Sequence, residues 1–171
     1  MGDKINSFSV DYEGDMIILG GALNEYMDLS KIKVPSGVIK MDLAGVNFIN
    51  SIGTGYWVRF WANFQKREVE FYRVSIELMS ALAMMTTILP KGKTLSMIKS
   101  FYIQSCCMNC SHNFRALCKP GQLSFENSNA YTELAQCPVC GNPATATDEF
   151  NEFLDLYADE HELGDQIYGA D

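Results

Sequence analysis

Six cysteines, Cys106, Cys107, Cys110, Cys118, Cys137 and Cys140, fall inside one window of 35 residues, and the 105 residues before it hold none. Four of them make two pairs of the same spacing, Cys107-Met108-Asn109-Cys110 and Cys137-Pro138-Val139-Cys140. In a reducing compartment such pairs are metal ligands rather than disulfides. A two-residue spacer lets one tight turn aim two thiolates at a single ion. Four thiolates complete a tetrahedron, a set that suits zinc, which has no geometric demand of its own. Gly141, just after the second pair, supplies the permissive backbone that lets amides point at sulfur. Four protein ligands leave no open coordination position, so one structural zinc per chain is expected, bound by Cys107, Cys110, Cys137 and Cys140. Cys106 competes with Cys107 by a one-residue slip, whereas Cys118 and His112 break the pairing and are expected beside the site rather than in it.

The 26 residues between the pairs are enough for a β-hairpin, and the segment resembles a zinc ribbon. Its second pair, Cys-Pro-x-Cys-Gly, is also similar to a rubredoxin knuckle, which keeps iron open as the alternative metal. Rubredoxins carry glycine after both pairs and stack aromatics between them. Here Ser111 follows the first pair, and only Phe114, Phe125 and Tyr131 lie between.

The net charge of −8 is unevenly distributed. Residues 1–104 carry +1, residues 105–147 carry zero, and residues 148–171 carry −9 with no Lys or Arg. No part has the basic footprint that a nucleic-acid partner needs. Residues 1–5 lack an apolar signal region, and Asn6 stands where a myristoylation motif wants Ser or Thr. The most apolar run, residues 78–89, is 12 residues long and too short to span a bilayer. A cytoplasmic protein with no direct membrane insertion is expected. At 47% hydrophobic and 20% charged residues, the chain has the composition of a packed domain.

Residues 7–13 alternate apolar and polar as an edge strand does, Gly14-Asp15 is a turn, and residues 16–19 make a second strand that Gly20-Gly21 ends. Residues 25–32 are expected to form a short helix and residues 38–43 a central strand covered on both faces. Tyr56, Trp57, Phe60, Trp61 and Phe64 then recur at helical spacing and read as core. A strand over 68–74, a helix over 75–89, a break at Pro90-Lys91-Gly92-Lys93 and a strand over 95–103 complete the pattern. The fold class is therefore α/β, a mixed sheet with an N-terminal antiparallel hairpin and packed helices, followed by a small cysteine module. The expected domains are 5–104, 105–147, and an acidic helix and tail over 148–171. In that tail Phe150, Phe153, Leu154 and Tyr157 form one apolar helix face.

The segment Met41-Asp42-Leu43-Ala44-Gly45-Val46-Asn47-Phe48-Ile49-Asn50-Ser51-Ile52-Gly53 resembles the signature of STAS domains, the sulfate-transporter and anti-sigma-factor-antagonist family. Gly21-Ala22-Leu23-Asn24 is similar to that family's Gly-x-Leu-Asp. The resemblance covers about a hundred residues and implies a STAS-like fold for 5–104. It makes Ser51 the candidate phosphorylation site of a switch serine kinase. It places partner binding at Asn24, Asn50, Ser51, Ile52, Thr54 and Arg59, with an anti-sigma factor or that kinase as the protein partner. The family's two acids near the phosphorylated serine correspond here to the neutral Asn24 and Asn50. From the residues alone, Asn50 or Ser51 is a helix N-cap.

No enzyme constellation is present. His112 and His161 are the only histidines, neither sits by a recognisable nucleophile, and Gly53-Thr54-Gly55 lacks the third glycine and lysine of a phosphate loop. The expected function is a non-enzymatic regulatory protein-interaction module with a structural zinc. A rubredoxin-like electron carrier or thiolate redox sensor, and a cytosolic STAS subunit of a transporter complex, are the alternatives.

Overall fold

The computed structural model describes residues 7–84, 88–89, 95–119, 124–126, 129–131 and 135–146. The expected tail helix and the break at 90–93 lie outside the described residues. The chain divides into two compact units, Met1–Tyr102 and Ile103–Asp171.

In the first unit, β1 (Ser9–Glu13) and β2 (Met16–Leu23) form an antiparallel hairpin around Gly14, whose φ of +60° suits the tight turn. β2 pairs in parallel with β3 (Ile39–Ile49), and β3 in parallel with β4 (Val69–Tyr72), giving the order β1-β2-β3-β4. Helix α1 (Ser51–Ala62) is the crossover between β3 and β4, and α2 (Ile76–Met84) follows β4. Parallel bridges at Phe71–Ile98 and Val74–Phe101 extend the pairing beyond β4. The first unit is thus a mixed α/β structure with one antiparallel hairpin.

Strand pleating explains the core. Ile17, Met41 and Phe71 are register partners across β2, β3 and β4 and share one face, all of them at most 2% exposed. Over that face lie Trp57 and Trp61 of α1, both buried, with ring centroids 6.0 and 5.5 Å from Phe71. The indole N–H of Trp57 donates to the Ile88 carbonyl at 3.1 Å, which satisfies its one polar atom. The helical stripe is core at those two positions. Phe60 and Phe64 are half-buried, and Tyr56 is exposed.

Several elements differ from expectation for local reasons. β2 does not end at Gly20-Gly21 but runs through them to Leu23, with pairing shifts between Ile18 and Gly20 and between Gly21 and Ala22. A Cβ on Gly45 would lie 2.9 Å from the Leu19 carbonyl oxygen, so the small residues there let β2 and β3 approach closely. The helix expected over 25–32 shrinks to a 3₁₀ turn at Leu29–Lys31. The side-chain oxygens of Asn24 and Asp28 accept from the Tyr26 and Ser30 amides, and such bonds compete with a helix. The last strand starts later than expected: a 3₁₀ turn at Leu95–Met97 precedes β5 (Phe101–Cys107).

β3 is not sandwiched between two apolar layers either. Lys40 and Asp42 point to the face opposite Met41, where Lys40 meets Asp15 at 2.9 Å, Arg73 pairs with the buried Asp42, and Tyr72 donates to Glu70 at 2.7 Å.

In the second unit, β5, β6 (Asn113–Cys118), β9 (Ala135–Gln136) and β10 (Pro143–Ala146) make a sheet of order β6-β5-β10-β9. β7 (Ser124–Glu126) and β8 (Asn129–Tyr131) pair separately as an antiparallel hairpin between the two cysteine pairs.

Candidate metal centre and the start of helix α1

Each cysteine pair occupies the turn between two strands, β5 to β6 and β9 to β10. The antiparallel register of β5 with β10 sets Ala144 opposite Cys107 and so brings the two turns together. The turns are built alike. Cys107 donates its amide to the His112 carbonyl at 3.0 Å and accepts from the Ser111 amide at 2.7 Å. Cys137 does the same with Asn142 at 2.8 Å and Gly141 at 2.9 Å. The fifth position of each turn is left-handed, with φ of +56° at Ser111 and +72° at Gly141. Ser111 therefore adopts the conformation that glycine takes in the other turn, despite its Cβ.

The four Sγ atoms of Cys107, Cys110, Cys137 and Cys140 lie within 4.8 Å of one another. Across the turns, Cys107 faces Cys140 at 3.5 Å and Cys110 faces Cys137 at 3.6 Å. A tetrahedron of metal–sulfur bonds of ~2.3 Å has edges of about 3.8 Å, so these atoms surround a volume of the right size for one ion. None of the six cysteines is in a disulfide. Cys107 and Cys137 are buried with Ala144, and Phe114 and Cys140 pack against them, so three of the four cysteines are also part of this unit's core.

The Asn142 side-chain amide, 3.5 Å from the sulfur, and the Asn142 backbone amide hold the Cys140 thiol down to about 6. For Cys110 the His112 backbone amide works in the same direction. Desolvation and the bonds to the thiols of Cys140, Cys137 and Cys107 overcome it and push Cys110 up to about 12. Four thiols thus converge on one point and make a soft donor set. The donor set therefore fits a soft-tolerant dication, and Cys107, Cys110, Cys137 and Cys140 could hold one.

The neighbouring residues stand aside. Cys106 alternates with Cys107 along β5 and so points to the other face. Cys118 is buried, and desolvation pushes its thiol up to about 12. The His112 ring stacks on Phe114 with centroids 6.0 Å apart.

In the first unit, Asn50 caps α1: its side-chain oxygen accepts from the Gly53 amide at 2.8 Å, and its side-chain amide donates to Glu25 at 2.8 Å. That bond, with the backbone amide of Glu25, holds the Glu25 carboxyl below its usual range. Thr54 is half-buried and bonds its hydroxyl to the Asn50 carbonyl at 2.9 Å. Gly53 lies so close to β2 that a Cβ would sit 1.9 Å from the Leu23 carbonyl oxygen.

Ser51 is exposed at the first helical position, and Ile52 is 49% exposed. Arg59 is exposed and lies over the Tyr56 ring at 5.2 Å. Asn24, by contrast, is 9% exposed and holds the Tyr26 amide, so the residue it turns outward is Tyr26, at 82%. Tyr26 and Phe48 (48% exposed) are apolar members of this junction that sequence reasoning missed. Phe48 sits inside the signature, and nothing local marks either residue as exposed.

Among the described residues, no helix is long and apolar enough to cross a membrane. No protein-family model matches the chain, and no curated protein or solved structure matches it.

Proposed function

We propose that the chain is a non-enzymatic, cytoplasmic regulatory protein-interaction module, STAS-like over its first hundred residues, with a zinc ribbon in which Cys107, Cys110, Cys137 and Cys140 bind one structural zinc. Its partner is a protein of the anti-sigma-factor or switch-kinase kind, docked around the start of α1. The observation that carries this reading is the junction of β3 with α1. Asn50 takes the cap, Ser51 is left exposed at the first helical position, and Tyr26, Phe48 and Ile52 offer exposed apolar surface. The parallel β3-α1-β4 crossover under the STAS-like signature also supports it. The four convergent thiols support a closed, structural metal site.

A phosphate on Ser51 would add about −1.5 to −2 charge at the positive end of the helix dipole. Three substitutions separate a phosphate switch from a constitutive surface, measured as affinity for the protein captured from the native organism. If phosphate is the signal, Ser51→Asp weakens binding and Ser51→Ala leaves it intact. If the surface is constitutive, both have small effects and Ile52→Arg weakens binding about tenfold, near 1.4 kcal/mol. Unchanged binding in all three variants would overturn this placement of the partner.

A further inference from the structure

We propose that the four-cysteine cluster is a redox-switched centre in which hydrogen peroxide converts the metal-bound tetrathiolate into two disulfides that cross between the turns, Cys107–Cys140 and Cys110–Cys137, and expels the metal. The inference rests on the metal reading above and adds what happens to the site on oxidation.

Three observations carry it. First, the cluster has an inside and an outside. Cys107 and Cys137, the first residue of each pair, are buried at 0% and 2% exposure, whereas Cys110 is exposed and Cys140 half-buried. A small oxidant in water therefore meets the second cysteine of each pair. Second, each outward sulfur lies beside the buried sulfur of the other turn, at 3.5 Å for Cys140 with Cys107 and 3.6 Å for Cys110 with Cys137, in a cluster where Cys110 also contacts the thiols of Cys140 and Cys107. A disulfide bond of about 2.05 Å is reached by closing each gap by roughly 1.5 Å. Third, the antiparallel register of β5 with β10, which sets Ala144 opposite Cys107, already holds the two turns side by side, as crossed disulfides between them require.

The chemistry balances. At each outward sulfur the thiolate attacks one peroxide oxygen, the O–O bond breaks, hydroxide leaves and a sulfenic acid remains. The buried thiolate facing it attacks that sulfur, forms the S–S bond and expels a second hydroxide. Two peroxides thus take four thiolates to two disulfides and four hydroxides, and the dication leaves for want of ligands. Cys106 and Cys118 stay out of the reaction, the first because it points to the other face of β5, the second because it is buried and its thiol is pushed up to about 12.

The test titrates the zinc-loaded full-length chain with hydrogen peroxide. Zinc release is followed with a chromophoric chelator, free thiols are counted, and disulfides are mapped by fragmentation mass spectrometry. The expected result is one zinc released for two peroxides, Cys106 and Cys118 left as thiols, the crossed pairs in the map, and zinc binding restored by dithiothreitol. Cys106→Ser should behave as the wild type. Disulfides within the turns, Cys107–Cys110 and Cys137–Cys140, would overturn the proposal. So would a bond to Cys106 or Cys118, sulfinic or sulfonic acids in place of disulfides, or zinc retained in excess peroxide. Those outcomes leave the metal reading standing. A chain that holds iron, or that takes up no zinc, overturns the metal reading and this inference together.

Discussion

Two residues carry the tightest backbone constraints at the candidate sites. Ser111 and Gly141 occupy matching positions with left-handed backbone, and only one is glycine. A side chain in that region costs about 1–2 kcal/mol. Ser111→Gly should therefore stabilise the first turn by about 1 kcal/mol and tighten zinc roughly fivefold in a chelator competition. Gly141→Ala meets no atom within 4 Å, so it should lose about the same amount through strain alone. At α1, Gly53 is constrained by space rather than by φ. The clash with the Leu23 carbonyl predicts that Gly53→Ala costs about 3 kcal/mol in urea unfolding, the upper end of the overpacking range. Both glycines lie in motifs visible in the sequence, but which obstacle each avoids depends on a contact or a torsion that no motif records.

At the scale of elements, α1 begins where it does because Asn50 has two jobs, capping the helix and holding Glu25. Asn50→Ala should cost about 1 kcal/mol. Asn50→Asp keeps the cap oxygen and suits the helix dipole, but it sets a carboxylate where Glu25 now finds a donor. In the native chain the Glu25 carboxyl sits below its usual range, so its small contribution is present above the unfolded value and fades as pH falls. In Asn50→Asp the sign reverses. Glu25 should titrate above its usual value, as a carboxyl-carbon NMR titration would read, and acid should relieve the repulsion. A cap at Asn50 or Ser51 was legible beforehand because capping is local, and the Asn50 oxygen on the Gly53 amide decides between them. The 3₁₀ turn in place of a helix over 25–32 was not, because turns held by Asn24 and Asp28 compete with helix on nearly equal terms.

For the whole molecule, the two units should fail separately. The first buries an apolar core of its own around Met41, Phe71, Trp57 and Trp61. In the second, two of the four clustered cysteines, Cys107 and Cys137, are themselves core. Chelation should therefore abolish hydrogen-exchange protection in β5, β6 and β10 beyond Tyr102 while leaving β2, β3 and α1 protected. Both tryptophans of the chain lie in α1, so their emission should not shift when the metal leaves. A red shift on chelation would show that the first unit does not hold its fold alone.

By itself the sequence determined the features that short-range chemistry controls. These are two cysteine pairs of matching two-residue spacer, a helix cap at Asn50 or Ser51, the turn at Gly14, and the strands whose alternation marks one buried face. Tertiary structure decided what depends on residues far apart in the chain. Pairing of β5 with β10 brings together two turns whose first cysteines are 30 positions apart, and their spacing alone could not say which sulfurs face each other. Likewise Tyr56 shares the spacing of Trp57 and Trp61 yet stays exposed. A helix presents its whole periodic stripe in the sequence, but the width of the face it buries is set by the sheet beneath it, here by where Phe71 lies.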